Sequence, residues 1–115
     1  MALPRRQRLK SANIISQVFS TTRPLHDEGI SLRVSIGQEP TTVFAVLVPK
    51  SASASAVQRN ALRRRVTEAL RIIVTAGRVA PQRRGVLVVR SAPQGNTALR
   101  KVLMSLLKKS GILEL

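Results

Sequence analysis

Residues 57–71 read Val-Gln-Arg-Asn-Ala-Leu-Arg-Arg-Arg-Val-Thr-Glu-Ala-Leu-Arg. On a helix of 3.6 residues per turn, one apolar stripe gathers Leu62, Val66, Ala69, Leu70 and Ile73. A second side gathers Asn60, Arg63, Arg64, Thr67 and Arg71. Such a helix buries one face and holds a row of guanidinium groups, whose planar forks of donors bind phosphate. The alternative is a solvated face that only keeps the protein soluble, although surfaces of that kind usually mix both charges.

The composition sets the class of protein. A chain of 115 residues is expected to form one domain with a modest core. Its 20 Lys and Arg against 5 Asp and Glu give a net charge of +15, which predicts a polyanionic partner. A hydrophobic content of 43% is too high for a disordered basic tail. The chain has no cysteine, no apolar run of membrane-spanning length and no apolar signal core, so we expect a cytoplasmic protein.

Hydrophobic periodicity predicts an α+β fold, a two-layer sandwich with the order α-β-β-α-β-α. The helices are predicted from the Ser11 cap to residue 20, from the Ser53 or Ser55 cap to Gly77, and from the Asn96 cap to residue 110. The strands are predicted at 30–36, 43–48 and 85–90, joined by loops at 21–29 and 79–85. We expect the strands at 43–48 and 85–90 to be parallel, with 43–48 central in the sheet, and those at 30–36 and 43–48 to form a hairpin.

Three regions are predicted along the chain. Residues 1–10 form a flexible basic arm able to wrap a nucleic acid backbone, or else a tail of no consequence. Residues 11–110 form a single RNA-binding domain. Residues 111–115 are a tail, of which Leu113-Glu114-Leu115 is in part a cloning remnant and is not used to predict the fold.

The chemistry of the chain favours binding over catalysis. The five carboxylates are scattered, and His26 beside Asp27 and Glu28 is a poor metal site. The aromatic residues are only Phe19 and Phe44, so recognition should rely on phosphate contacts and shape. Phe19 is either one stacking platform or a core anchor of the first helix. We therefore do not expect the chain alone to be an enzyme.

The run Arg59-Asn60-x-x-Arg63-Arg64 resembles the signature of the bacterial ribonuclease P protein subunit. Val48-Pro49-Lys50 and Ser55-Ala56-Val57 resemble the same family, as does the order of the flanking segments. The resemblance extends over residues 5–109, which is nearly the whole chain.

This resemblance implies a function and a set of residues. The chain would be the accessory subunit of an endoribonuclease in which a catalytic RNA uses Mg²⁺ to remove the 5′ leader of precursor tRNA. Its partners would be ribonuclease P RNA and precursor tRNA, with no DNA and no membrane; metal ligands on the protein are unknown. The implied RNA-binding residues are Lys50, Arg59, Asn60, Arg63, Arg64, Arg65 and Arg71, with Arg5, Arg6 and Arg8 of the arm. The implied leader cleft, between the sheet and the first helix, holds Ile15, Phe19 and Arg33.

The resemblance also implies an unusual crossover. Parallel strands are normally joined by a right-handed connection, whereas the family implies a left-handed one between 43–48 and 85–90. The chain departs from the family at Ile15, where Phe is frequent. The alternative functions are a generic RNA-binding or ribosome-associated protein and an architectural DNA-binding protein, although the helices show no helix-turn-helix spacing.

Overall fold

The computed structural model describes residue 3 and residues 7–114. The helices are α1 (Ala12–Thr21), α2 (Ala56–Ala76) and α3 (Asn96–Ser110). The strands are β1 (Leu25–Asp27), β2 (Ile30–Ile36), β3 (Val43–Leu47), β4 (Arg78–Val79), β5 (Arg83–Val89) and β6 (Leu113–Glu114). The predicted order α-β-β-α-β-α is confirmed, with the elements α1, β2, β3, α2, β5 and α3. The three short strands β1, β4 and β6 were not predicted.

Strand β5 lies at the centre of a four-stranded sheet ordered β1-β2-β5-β3. The parallel pairing of β3 with β5 is confirmed. The predicted hairpin of β2 with β3 is wrong, because β5 lies between them and pairs antiparallel with β2. Residues 85–89 of β5 are all buried, and burial of both faces and both edges favours the central place for this strand. The prediction that β3 is central is wrong, because β5 takes that place and β3 lies at one end of the sheet.

Helices cover both faces of the sheet. Successive side chains of a strand point to opposite faces, so Leu87 and Val89 pack in the cluster with α2 and α3. Val86 and Val88 pack in a second cluster with Val18 of α1. The α+β class is confirmed, but the helices lie in two layers around the sheet, because α1 covers the face opposite α2 and α3.

The connection from β3 through α2 to β5 is left-handed, as the family resemblance implied. The Phe44 carbonyl accepts a hydrogen bond from the Leu9 N–H, so the Phe44 peptide groups point away from β5. The Phe44 side chain packs on the face of α2 and α3. For an L-residue in a strand that runs upward with its side chain toward the viewer, the peptide groups point to the right. β5 therefore lies to the left of β3 behind α2, the opposite of about 98% of such connections.

The N-terminal arm is part of the fold where the structure describes it. Leu3 and Leu9 are buried, and the Leu9 N–H donates to the Phe44 carbonyl at 2.7 Å along the outer edge of β3. Residues 7–10 thus form a strap on that edge, and the prediction of a flexible arm is wrong for them. Arg5 and Arg6 lie outside the described residues.

The C-terminal residues are also part of the fold. β6 pairs antiparallel with β4, and the Ala80 N–H donates to the Ile112 carbonyl at 2.7 Å. Ile112 and Leu113 are buried in the main core. The prediction of a tail is therefore wrong for residues 112–114, because two apolar side chains there complete the core.

Helix ends follow the predicted capping with one exception. The Ser11 and Ser55 side chains accept from the Ile14 and Gln58 N–H groups at the starts of α1 and α2. Asn96 was predicted as the cap of α3, but it is the first helical residue and Gly95 takes the cap position at φ +88°. Arg83 and Arg84, predicted in a loop, begin β5 because they pair with the end of β2. In the part of the chain described, no helix is long and apolar enough to cross a membrane.

Ile112→Ala should lower the free energy of unfolding by about 2–5 kcal/mol, because a fully buried side chain is replaced by a cavity. Urea denaturation followed by circular dichroism measures the change. Met104→Ala is the control, since Met104 is 37% exposed. Equal losses for the two variants would show that the C-terminal residues do not contribute to the core.

Candidate nucleic-acid interface

The start of α2 is held by Arg59. The Arg59 guanidinium donates to the carbonyls of Ser53 and Ala54 at 2.8 and 3.1 Å. These bonds fasten the segment between α2 and the preceding 3-10 turn, Lys50–Ala52. Lys50 is exposed on that turn. Arg59 therefore positions the entry to α2, and Lys50 presents its charge to solvent.

Asn60, Arg63 and Arg64 form the exposed row that the helical spacing predicted. The Arg63 guanidinium donates to Asn60 Oδ1 at 3.0 Å. This contact restrains Arg63 through one of its five N–H groups and leaves the others for an external acceptor. The buried side of the helix contains Val66, Ala69, Leu70, Ile73 and Val74, so the row is anchored by the core.

Arg65 and Arg71 have partners within the protein. The Arg65 guanidinium donates to the carbonyls of Pro93 and Gly95 and so holds the segment that leads into α3. Arg71 donates twice to the Glu68 carboxylate, at 2.6 and 3.1 Å. The hydrogen bonds from Arg71 are the largest cause of the lowered pKa of Glu68, about 2, and the pair stays ionised at neutral pH. Both arginines are thus less available to a phosphate than Arg63 and Arg64.

A groove of about 710 Å³ runs along the outer edge of β3. Arg8 and Lys10 of the strap line one side, and Arg63, Arg64 and Thr67 of α2 line another. Hydrocarbon forms the floor, from residues 44–47 of β3 with Leu3, Leu9 and Ile15. The crossover creates this arrangement, because it places α2 beside the end strand of the sheet. The groove therefore combines an apolar floor with a basic rim.

The three predicted cleft residues lie near one another, because Ile15 and Phe19 are one turn apart on α1 and Arg33 of β2 contacts Phe19. Ile15 lines the groove, and Phe19 and Arg33 are not among its lining residues. The Arg33 guanidinium lies 4.9 Å from the centre of the Phe19 ring and donates to the Phe19 and Thr22 carbonyls at the end of α1. Phe19 is 38% exposed, so it is not the core anchor of α1; Val18 has that place. Arg33 is chiefly a cap for the C-terminus of α1.

The sequence analysis missed Lys10 as a groove residue. Lys10 was counted only in the basic arm, because nothing in the sequence shows that the strap follows the edge of β3. Thr67 was placed on the polar side of α2, and the structure adds that it faces the groove. Among the described residues no three His, Cys, Asp or Glu side chains are grouped as metal ligands.

Comparisons with known proteins agree on one family. The family profile described as Ribonuclease P matches residues 3–111. A mutant of the Staphylococcus aureus RNase P protein superposes with a TM-score of 0.78 at 14% identity, over 92% of this chain and 89% of that one. The Thermotoga maritima RNase P protein superposes with a TM-score of 0.73 at 18% identity, over 89% and 96%. No curated protein sequence matches the chain. The two superpositions support the fold, and the profile match identifies the family.

Arg65→Ala should lower the free energy of unfolding by about 1.5–3 kcal/mol, because the carbonyls of Pro93 and Gly95 lose a charged donor. Arg64→Ala is the matched control, since the adjacent Arg64 is exposed. Denaturant unfolding of both variants measures the difference. If the two variants are equally stable, Arg65 does not hold the segment before α3.

Proposed function

The chain belongs to the ribonuclease P protein family, and we propose that it binds the catalytic RNA and the 5′ leader of precursor tRNA during leader removal. The observation that carries the proposal is the position of the signature residues. Asn60, Arg63 and Arg64 are exposed together on a 21-residue helix, directly beside a groove with an apolar floor.

The exposed row of α2 suits a structured RNA. Arginine forks bind phosphate oxygens, and a rigid helix holds them at fixed spacing, so little side-chain and backbone order has to be gained on binding. Arg64 has no carboxylate partner among the described residues, and the described ion pairs join Arg71 to Glu68 and Arg84 to Glu39. We assign the main contact with the catalytic RNA to Arg63 and Arg64, with Lys50 beside them. Arg59 and Asn60 act by positioning this surface.

The groove suits the leader. A single strand exposes the faces of its bases, which the hydrocarbon floor can cover, and its phosphates can reach the basic rim. Ile15 contributes to that floor. Phe19 follows Ile15 by one turn of α1, and the exposed part of its ring is available to a base of the same strand.

The chemistry of cleavage belongs to the RNA in this proposal. Mg²⁺ would stabilise charge at the reacting phosphate of the ribonucleoprotein. No side chain of this chain is assigned to the metal, because the described acidic residues and the single His are not grouped as ligands. The protein contributes binding and orientation of the substrate. We further propose a cytoplasmic location and no DNA partner.

Reconstitution with a bacterial ribonuclease P RNA at low Mg²⁺ tests the function. The protein should stimulate removal of a precursor tRNA leader, and Arg63→Ala plus Arg64→Ala should abolish most of the stimulation. Loss of two phosphate contacts should also flatten the log–log salt dependence of RNA binding by about 1.5. The control is Arg100→Ala plus Lys101→Ala, which removes the same charge from exposed positions on α3.

Two results would contradict the proposal. Equal loss of stimulation in both double variants would mean that overall charge, and not the α2 row, is responsible. Tight binding to unrelated RNAs with no stimulation of cleavage would favour the generic RNA-binding alternative.

A further inference from the structure

The outer side of α3 is a second basic surface. The helix contains no Asp or Glu, and its cationic side chains are all exposed: Arg100, Lys101, Lys108 and Lys109. The ion pairs among the described residues include none of these cations. The opposite side of the helix is buried in the main core, so the backbone that carries the cations is held in place. We refer to Arg100, Lys101, Met104 and Lys108 together as the α3 surface.

Helix stability accounts for only part of this charge. Lys108 and Lys109 lie in the last turn of α3, where cations interact favourably with the helix dipole. Arg100 and Lys101 lie at the start of the second turn, where the dipole gives them no such benefit. In a chain with a net charge of +15, further unpaired cations add to the repulsion within the fold. A surface that served only solubility would usually mix both charges, so Arg100 and Lys101 indicate an anionic partner.

The α3 surface lies away from the groove. α3 packs on β1 and β2, which are at the opposite end of the sheet from β3, whereas α2 contacts β3. No residue of α3 is among those that line the groove, while Arg63 and Arg64 are. An anion on the α3 surface would therefore not compete for the residues that bind an RNA at α2.

The polar character of the α3 surface favours a nucleic acid over a protein as the partner. Protein interfaces have an apolar core in which Lys is depleted. On α3, Met104 is 37% exposed and the other large apolar side chains are buried. Interfaces with nucleic acids are more polar and much more positively charged. Lys101 and Lys108 are two turns apart, about 10.5 Å along the helix axis, so they can reach separate phosphates.

The same surface favours a duplex over a single strand. Single strands are bound largely by stacking of their bases on aromatic side chains, and α3 has no aromatic residue. Double-stranded RNA is recognised through its shape, its phosphates and its 2′-hydroxyl groups. Thr97 is exposed one turn before Lys101 on the same side of the helix, and its hydroxyl can bond to a phosphate or a 2′-hydroxyl.

We propose that the α3 surface binds the backbone of double-stranded RNA without sequence preference, so that one chain can join two RNA molecules. One RNA is held by α2 and the groove, and the other is held by α3. The proposal rests on the proposed function only for the RNA at α2. The duplex at α3 is a second molecule, so leader removal by the reconstituted complex does not require it. Arg100→Ala plus Lys101→Ala therefore remains a valid control for that reaction.

Binding of an RNA duplex to the isolated full chain, followed by fluorescence anisotropy, tests the α3 surface. The probe has about 16 base pairs, the span of a small duplex-binding domain. All proteins carry Arg63→Ala plus Arg64→Ala, so that the α2 row does not contribute. In this background, Arg100→Ala plus Lys101→Ala should weaken binding about tenfold and flatten the log–log salt dependence by about 1.8, or about 0.9 for each duplex phosphate contact.

The matched control is Arg23→Ala plus Arg78→Ala, which removes two charges from exposed positions outside α3 and the groove lining. It should leave the affinity and the salt dependence close to those of the background, and circular dichroism verifies that every variant folds. Equal weakening by the α3 and control variants would overturn the α3 site. A single strand of the same sequence should depend less on Arg100 and Lys101, and equal dependence would overturn the assignment to a duplex. Tighter binding of a DNA duplex of that sequence would overturn the assignment to RNA.

A capture assay tests whether one chain joins two RNAs. Ribonuclease P RNA is immobilised with one bound protein per RNA, and the parent protein should retain the fluorescent duplex. Arg100→Ala plus Lys101→Ala should retain about tenfold less duplex while binding ribonuclease P RNA as tightly as the parent. Retention equal to that of the parent would overturn the claim. A failed reconstitution of cleavage would count against the proposed function and leave the duplex result on the isolated chain intact.

Discussion

The insertion of β5 between β2 and β3 is the constraint on which the rest of the structure depends. β5 pairs with both neighbours, and its residues 85–89 are buried. Because β5 takes the centre, β3 is left at the end of the sheet with its outer edge available. The left-handed return of the chain places α2 over that end, and the N-terminal strap pairs with the same edge at Phe44. The groove is the space that these three elements leave between them.

Local features of the fold were predictable from the sequence. The alternation at 30–36, the continuous apolar run in β3 and the stripe of α2 each depend on neighbouring residues, and each produced the expected element. The arrangement of strands was not predictable in this way. A short connection between β2 and β3 is compatible with direct pairing of the two strands, and it is equally compatible with β5 lying between them. The short strands β1, β4 and β6 depend on pairing between distant residues, which leaves little local pattern.

In the candidate site, too, some features follow from neighbouring residues and others only from the tertiary fold. The exposure of Asn60, Arg63 and Arg64 followed from helical spacing, because one helix fixes their relation. Helical spacing says nothing of partners outside the helix, so it could not separate Arg64 from Arg65, which is bound to the segment before α3. The groove brings together the strap, β3, α1 and α2, and only the tertiary fold determines that set. Lys10 therefore became a candidate once the strap was located on β3.

The most direct test of the account is to find which RNA lies in the groove. The chain has no cysteine, so Ile15→Cys provides a single attachment point for a photo-crosslinker on the groove floor, and Lys101→Cys provides one on the exposed side of α3. Both labelled proteins would be assembled with ribonuclease P RNA and precursor tRNA, irradiated, and the crosslinked nucleotides mapped. The account predicts crosslinks to the 5′ leader from position 15 and none to it from position 101. Crosslinks from position 15 that fall only in the catalytic RNA or the tRNA body would contradict it.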